Sequence, residues 1–321
     1  MKTGFPLFLA PMAGVTNTIF RRICKRLGAD VVTSEFVSAD GIFHRNVRTK
    51  EYLEFEPEER PVGVQLFGAD PAHLAEAAKS VIEWVQPDFI DLNFGCPVNK
   101  VVCKNGGSAL LKDCPLLEKV AKSVVNATSI PVTAKIRIGW SEDTINAVQT
   151  ATILEQAGIQ RIAVHGRTKE QGYSGLANWE VIGQVANAVS VPVIGNGDIT
   201  CAAEALNAKE KYGVAGLMIG RAAMSNPWIF SEIRAAFEGS DAFKAPDMEG
   251  KWALISEHCR QEVARRGEER SAMHSMRGRL MAYTRGMPGG RHLRGKLQFV
   301  DSVAQLEDIA AGHLAELSLA A

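Results

Sequence analysis

Eight short apolar runs recur along the chain, at residues 7–10, 30–34, 62–66, 89–92, 132–136, 161–164, 193–195 and 216–219. They are nearly continuous in apolar residues rather than alternating, the pattern of a parallel sheet buried on both faces. Between them lie Ala- and Leu-rich segments at 71–85, 116–127, 144–157 and 179–189, with apolar positions every three or four residues, which predict helices. Gly28, Pro61, Pro87, Pro131, Gly158, Pro192 and Gly213 punctuate the joints. Eight such units over about 240 residues predict an α/β fold, a (β/α)8 TIM barrel. A doubly wound sheet would need Gly-x-Gly-x-x-Gly after the first strand, where the chain has Ala10-Pro11-Met12-Ala13-Gly14.

The pattern changes near residue 238. Residues 239–249 read as a linker, and from 250 to 321 the strand signals stop. Helical periodicity over 252–266, 271–283, 290–298 and 302–319 predicts a small all-α helical bundle following the barrel. Residues 1–238 are therefore expected to form the catalytic barrel.

Charge sharpens this division. The formal net charge is zero, yet residues 260–296 hold ten Lys or Arg against three Asp or Glu. Such a block fits a polyanion footprint, although a solvated helix face produces the same composition. The residues from 5 onward, Phe-Pro-Leu-Phe-Leu-Ala-Pro, lack the uninterrupted apolar core of a signal peptide and read as a buried first strand. No apolar run has the length of a membrane span. Six scattered cysteines have no metal-ligand or disulfide-framework spacing, so the expectation is a cytoplasmic protein without a zinc site. A monomer is the default expectation.

Barrel chemistry sits at the carboxyl ends of strands. These ends supply Pro11, Met12 and Ala13; Ser34 and Glu35; Gln65; Asn93 and Cys96; Lys135 and Arg137; His165 and Arg167; Asn196, Gly197 and Asp198; and Gly220 and Arg221. Each has a dull explanation: Lys135 could be ion-paired in the core, His165 structural, Cys96 an inert buried thiol. A ring of such groups at matching strand ends is less easily dismissed. The glycine-rich turns after the seventh and eighth strands lie where this fold binds phosphate. Gln65 and Lys135 could meet the polar edge of a ring system, and FMN is one such ligand. The pattern does not separate FMN from another phosphorylated ligand.

Taken together, Ala10-Pro-Met-Ala-Gly14, Gln65, Asn93-Phe-Gly-Cys-Pro97, Lys135-Ile-Arg137, His165-Gly-Arg-Thr168, Asn196-Gly-Asp198 and Gly220-Arg221 resemble the tRNA-dihydrouridine synthases, with a bacterial B-type flavour. The resemblance covers about the first 235 residues, and the Asn-x-Gly-Cys-Pro segment is its most specific part. It implies an FMN barrel that uses NADPH, or NAD(P)H more generally, to reduce a D-loop uridine of tRNA to 5,6-dihydrouridine. By the same resemblance, hydride passes from flavin N5 to uracil C6, and Cys96 protonates C5 as general acid. Pro11, Met12, Ala13, Gln65, Lys135, His165, Asn196, Gly197, Asp198, Gly220 and Arg221 would hold FMN. Asn93, Arg137 and Arg167 would contact the base or flavin, and Arg277, Arg285, Arg291 and Arg294 the tRNA phosphates. Lys100 and Lys104 lie close enough in sequence to lower the Cys96 pKa, which would oppose its role as an acid. Cys103 departs from the family pattern. It is either an inert loop residue or an oxidative partner for Cys96. A dihydroorotate dehydrogenase-like barrel acting on a small molecule would share the flavin site without needing the basic tail. A non-catalytic RNA-binding protein on an old barrel would not need Cys96.

Overall fold

The computed structural model describes residues 4–44, 49 and 52–320. Its first part is a closed barrel of eight parallel strands in sequence order. They are β1 (Leu7–Leu9), β2 (Val31–Ser38), β3 (Val62–Phe67), β4 (Phe89–Phe94), β5 (Val132–Arg137), β6 (Ile162–His165), β7 (Val193–Asn196) and β8 (Gly216–Ile219). β8 closes on β1 with Leu7 opposite Leu217 and Leu9 opposite Ile219. Phe8, Phe89, Ala163, Ile194 and Met218 fill the interior as one buried cluster. The Arg161 guanidinium lies over Phe8 and Phe89, 4.9 and 4.5 Å from their ring centroids.

The helices start where short polar side chains satisfy free backbone N–H groups. Asp70 accepts from His73 N at 2.9 Å, with Pro71 at the first helical position. Asp113 accepts from Leu116 N at 3.0 Å and Asn178 from Val181 N at 3.1 Å.

One strand departs from expectation. β2 runs on to Ser38 instead of ending at Ser34, because a bulge interrupts its register. Thr33 lies opposite Gly63 but Phe36 opposite Gln65, which leaves one extra residue on β2. Ser34 and Glu35 sit at this bulge rather than at the strand end. There Ser34 Oγ accepts from Gln65 N at 3.1 Å, and Glu35 accepts from Gly14 N at 2.6 Å.

The chain divides into two compact units after Gly220. Composition alone places that break at 238. The difference arises because the helix Arg221–Ser225 packs against the helix Glu269–Tyr283. The second unit also contains Ile229–Phe237, Met248–Arg266, Gly290–Leu297 and Val303–Ala320. Asp247, within the expected linker, caps Met248–Arg266 by accepting from Gly250 N at 2.7 Å. Trp252 Nε1 donates to His313 Nδ1 at 3.1 Å, and His258 Nδ1 meets the Tyr283 hydroxyl at 3.0 Å. Burial depresses the His258 pKa to about 3, so this pair is a neutral core contact. Among the described residues no helix is long and apolar enough to cross a membrane.

Candidate active site at the carboxyl ends of the strands

Beyond the last residue of β4 the chain turns through Gly95-Cys96-Pro97. Asn93 makes that turn: its Oδ1 accepts from Gly95 N at 3.0 Å and from Cys96 N at 2.8 Å. On the far side, the Cys96 carbonyl accepts from Ser108 N at 3.1 Å and Ser108 Oγ at 2.5 Å. The Cys96 backbone is thus fixed on both its N–H and its C=O side, and the residue is only 6% exposed. Burial pushes its pKa up, against the opposing pull of the Val98 N–H and the charges of Arg137 and Lys135. It remains a thiol at neutral pH. The cations acting on it are therefore Arg137 and Lys135 rather than Lys104, which is exposed. The Lys100 side chain lies outside the described residues. Cys103 is exposed, its Sγ donating to Asn99 O at 2.8 Å, and both it and Cys96 are free thiols.

The Asn93 amide continues into the barrel. Its Nδ2 donates to Gln65 Oε1 at 2.7 Å, and Gln65 Nε2 donates to Asp91 Oδ2 at 2.6 Å. Thr133 Oγ1 donates to the other Asp91 oxygen at 2.5 Å. Asp91 and Thr133 escaped the sequence reading. The available signal was an acid within the otherwise apolar Phe89-Ile-Asp-Leu run.

Lys135 on β5 donates to Asn196 Oδ1 on β7 at 3.1 Å, while Asn196 Nδ2 donates to Met218 O at 2.7 Å. Its ammonium is walled by protein although part of the side chain faces the mouth. Burial first, and then the neighbouring Arg137 charge, lower its pKa to about 8, with Asp91 and Cys96 opposing.

The two arginines predicted to face substrate are each 2% exposed and engage loop carbonyls. Arg137 donates from Nε to Gly95 O at 2.9 Å and from Nη1 to Thr168 O and Gly172 O, each at 2.8 Å. Arg167 donates from Nη2 to both Asp198 oxygens at 2.8 Å and to Gly175 O at 2.6 Å. Its Nε donates to Ser174 O at 3.1 Å, and its Nη1 lies 3.4 Å from His165 Nε2. Asp198 also accepts from Ala177 N at 2.7 Å. The two guanidiniums brace the loop after β6, and Arg167 neutralises the acid in the Asn196-Gly197-Asp198 turn.

In the loop after β1, Met12 N donates to Thr16 Oγ1 at 3.0 Å and Met12 O accepts from Val15 N and Thr16 N, both at 3.0 Å. Its backbone is spent within the turn. Pro11 is half-buried and Ala13 exposed beside it. Gly220 follows β8, close to Ala10 and the Met12 sulfur. Arg221 is exposed and begins the second unit.

In that unit, Arg277 donates to Asp301 at 2.6 Å, and Arg294 Nη1 to Thr284 O at 3.4 Å. Arg285 and Arg291 are exposed and belong to no ion pair among the described residues. The expected phosphate contacts thus separate into two cations already engaged and two open to solvent.

The sequence relatives agree with this geometry. The family model described as dihydrouridine synthase matches residues 8–316. A tRNA-dihydrouridine synthase B of Pseudomonas aeruginosa is 41% identical over 304 residues, which is 94% of this chain and 91% of that protein. Its counterpart in Pseudomonas putida is 39% identical, over 95% and 90% of the two chains. A probable tRNA-dihydrouridine synthase 1 of Synechocystis is 37% identical, over 94% and 84%. A parallel barrel with a thiol and a lysine at its mouth, matched over nearly its full length, defines the class: this chain belongs to the dihydrouridine synthase family.

Proposed function

We propose that this protein reduces a uridine in the D-loop of tRNA to 5,6-dihydrouridine, with FMN as cofactor and NADPH as electron donor. The observation that carries the reading is the protonated Cys96 thiol, on a backbone fixed by Asn93 and Ser108, at the same end of the barrel as Lys135. The family and the relatives' names support the substrate.

The residues fit the cofactor by the chemistry of their donors. Lys135 spends one of its three N–H groups on Asn196 and keeps two for a ring carbonyl. Gln65 likewise keeps one amide N–H beyond its bond to Asp91. The Asp198 carboxylate beside the glycine turn is neutralised by Arg167, so it does not repel a phosphate there. Gln65, Lys135, His165, Asn196, Gly197, Asp198, Gly220 and Arg221 would hold the group, with Pro11, Met12 and Ala13 beside it. FMN, when bound, supplies the hydride that adds to uracil C6. Cys96 then donates its proton to C5: the S–H bond breaks, a C–H bond forms, and the thiolate left behind faces the charges of Arg137 and Lys135. Lys135 places positive charge where electron density accumulates. The target base must leave its stack to enter the barrel mouth, at a cost of a few kcal/mol that is smaller in a loop.

The test incubates the purified protein with FMN, NADPH and unmodified tRNA transcripts and maps dihydrouridine by position. One modified D-loop uridine is expected. The Cys96→Ala variant should keep flavin and tRNA binding and lose most product. Full activity in that variant would remove Cys96 as the acid. NADPH oxidation without product on any tRNA would favour a small-molecule substrate.

A further inference from the structure

Between Cys96 and the barrel interior, every hydrogen bond runs in one direction. Cys96 N and Gly95 N donate to Asn93, Asn93 donates to Gln65, and Gln65 donates to Asp91. The two ends of an amide are nearly the same size, so packing does not decide which way Asn93 or Gln65 points. Their neighbours do. At the upper end stand backbone N–H groups, which can only donate. At the lower end stands a carboxylate, which when ionised can only accept. Asp91 also accepts from Thr133 on the adjacent strand.

Two cations flank Asp91 as well. Thr133 is its register partner on β5 and Lys135 pairs with Asn93 two residues on, so Lys135 and Asp91 share one face of the sheet. Their charges act on each other, as do those of Asp91 and Arg161, the residue just before β6. Around Lys135 burial and Arg137 disfavour its proton, while Asp91 and Cys96 favour it.

We propose that Asp91 is the positioning residue of this site: its carboxylate fixes the orientation of the Gln65 and Asn93 amides, and it supplies a countercharge on the face it shares with Lys135. It reaches no ligand itself and acts through Gln65 and Lys135. Burial raises its own pKa above the ordinary carboxylate value, and the Thr133 and Gln65 hydrogen bonds and the two cations oppose that rise. The inference rests on the dihydrouridine reading for its catalytic meaning, but not for its physical test.

That test is a pH titration by 13C NMR of the full-length protein. The Lys135 Cε resonance is assigned by its loss in Lys135→Arg, and the Asp91 carboxyl resonance by through-bond correlation to its own backbone amide in the wild-type protein. Asp91→Asn keeps the side-chain shape and removes the charge, so the Lys135 midpoint should fall by about one pH unit. The alkaline limb of dihydrouridine formation should fall with it. A Lys135 midpoint unchanged in Asp91→Asn overturns the proposal. Thr133→Val keeps the shape of that side chain and removes one donor to the carboxylate, so Asp91 should titrate at higher pH while Lys135 does not move. Should Asp91→Asn not fold, Thr133→Val decides, and an unmoved Asp91 midpoint there overturns the proposal. If the wild-type protein makes no dihydrouridine, the functional reading falls, whereas both titrations still decide the role of Asp91.

Discussion

Replacing Gly107 by Ala should displace the Cys96 turn. Gly107 has φ +59°, and a Cβ there would lie 2.8 Å from the Cys96 carbonyl oxygen, 3.1 Å from Cys96 Cβ and 3.0 Å from a Val101 methyl. The left-handed backbone alone costs roughly 1–2 kcal/mol for an L side chain. Relief by moving the carbonyl would strain its two bonds from Ser108, each worth about 1 kcal/mol. The expected total is about 2–4 kcal/mol in urea unfolding, with altered alkylation of Cys96 by iodoacetamide. Gly239 provides the control. It has φ +61° and open space around its Cβ position, so Gly239→Ala should show the backbone cost alone. Equal losses in the two variants, with unchanged Cys96 alkylation, would refute the reasoning.

Further predictions follow from charges. Lys135 loses its proton as pH rises through about 8, so product formation should fall there. Lys135→Met should lower turnover at pH 7 by roughly a hundredfold, measured in single-turnover assays. Arg167→Gln removes the bond pair to Asp198 and two carbonyl contacts, at about 2–3 kcal/mol, because Asp198 is partly solvated. Hydrogen exchange should accelerate over residues 171–177, and unchanged protection would count against the bracing role. Arg285→Glu with Arg291→Glu should weaken tRNA binding and flatten its log–log salt slope by about 2. A slope unaffected by that pair would make these cations merely a solvated face.

The barrel was legible because each strand is an apolar run bounded by glycine or proline, and such runs have few alternatives to burial. The helical tail was legible from its periodicity. The bulge in β2 was not: Thr33 to Phe36 carries no glycine or proline, and the extra residue is visible only against the β3 register. The ring of strand-end residues was found, but not the direction each one takes. An arginine at a strand end can reach outward to a ligand or sideways to a loop carbonyl, and composition is the same in both cases. Arg137 and Arg167 take the sideways course. Asp91 was passed over because a charged residue inside a strand has no period to mark it. Its partners come from β3 and β5, remote in sequence.

The loop after β6 is gripped by its main chain. The carbonyls of Thr168, Gly172, Ser174 and Gly175 and the amide of Ala177 carry the bonds to Arg137, Arg167 and Asp198. Every residue type possesses the carbonyl, and every type except proline the amide N–H. Leu176 is 82% exposed, whereas Tyr173, 60% exposed, lays one side of its ring beside Arg137, whose guanidinium carbon is 5.6 Å from the ring centroid. The course of the loop is therefore separable from its identity. A lineage of such proteins can exchange the residues shown at the rim while the mount beneath keeps its shape, and recognition can drift without disturbing the chemistry below.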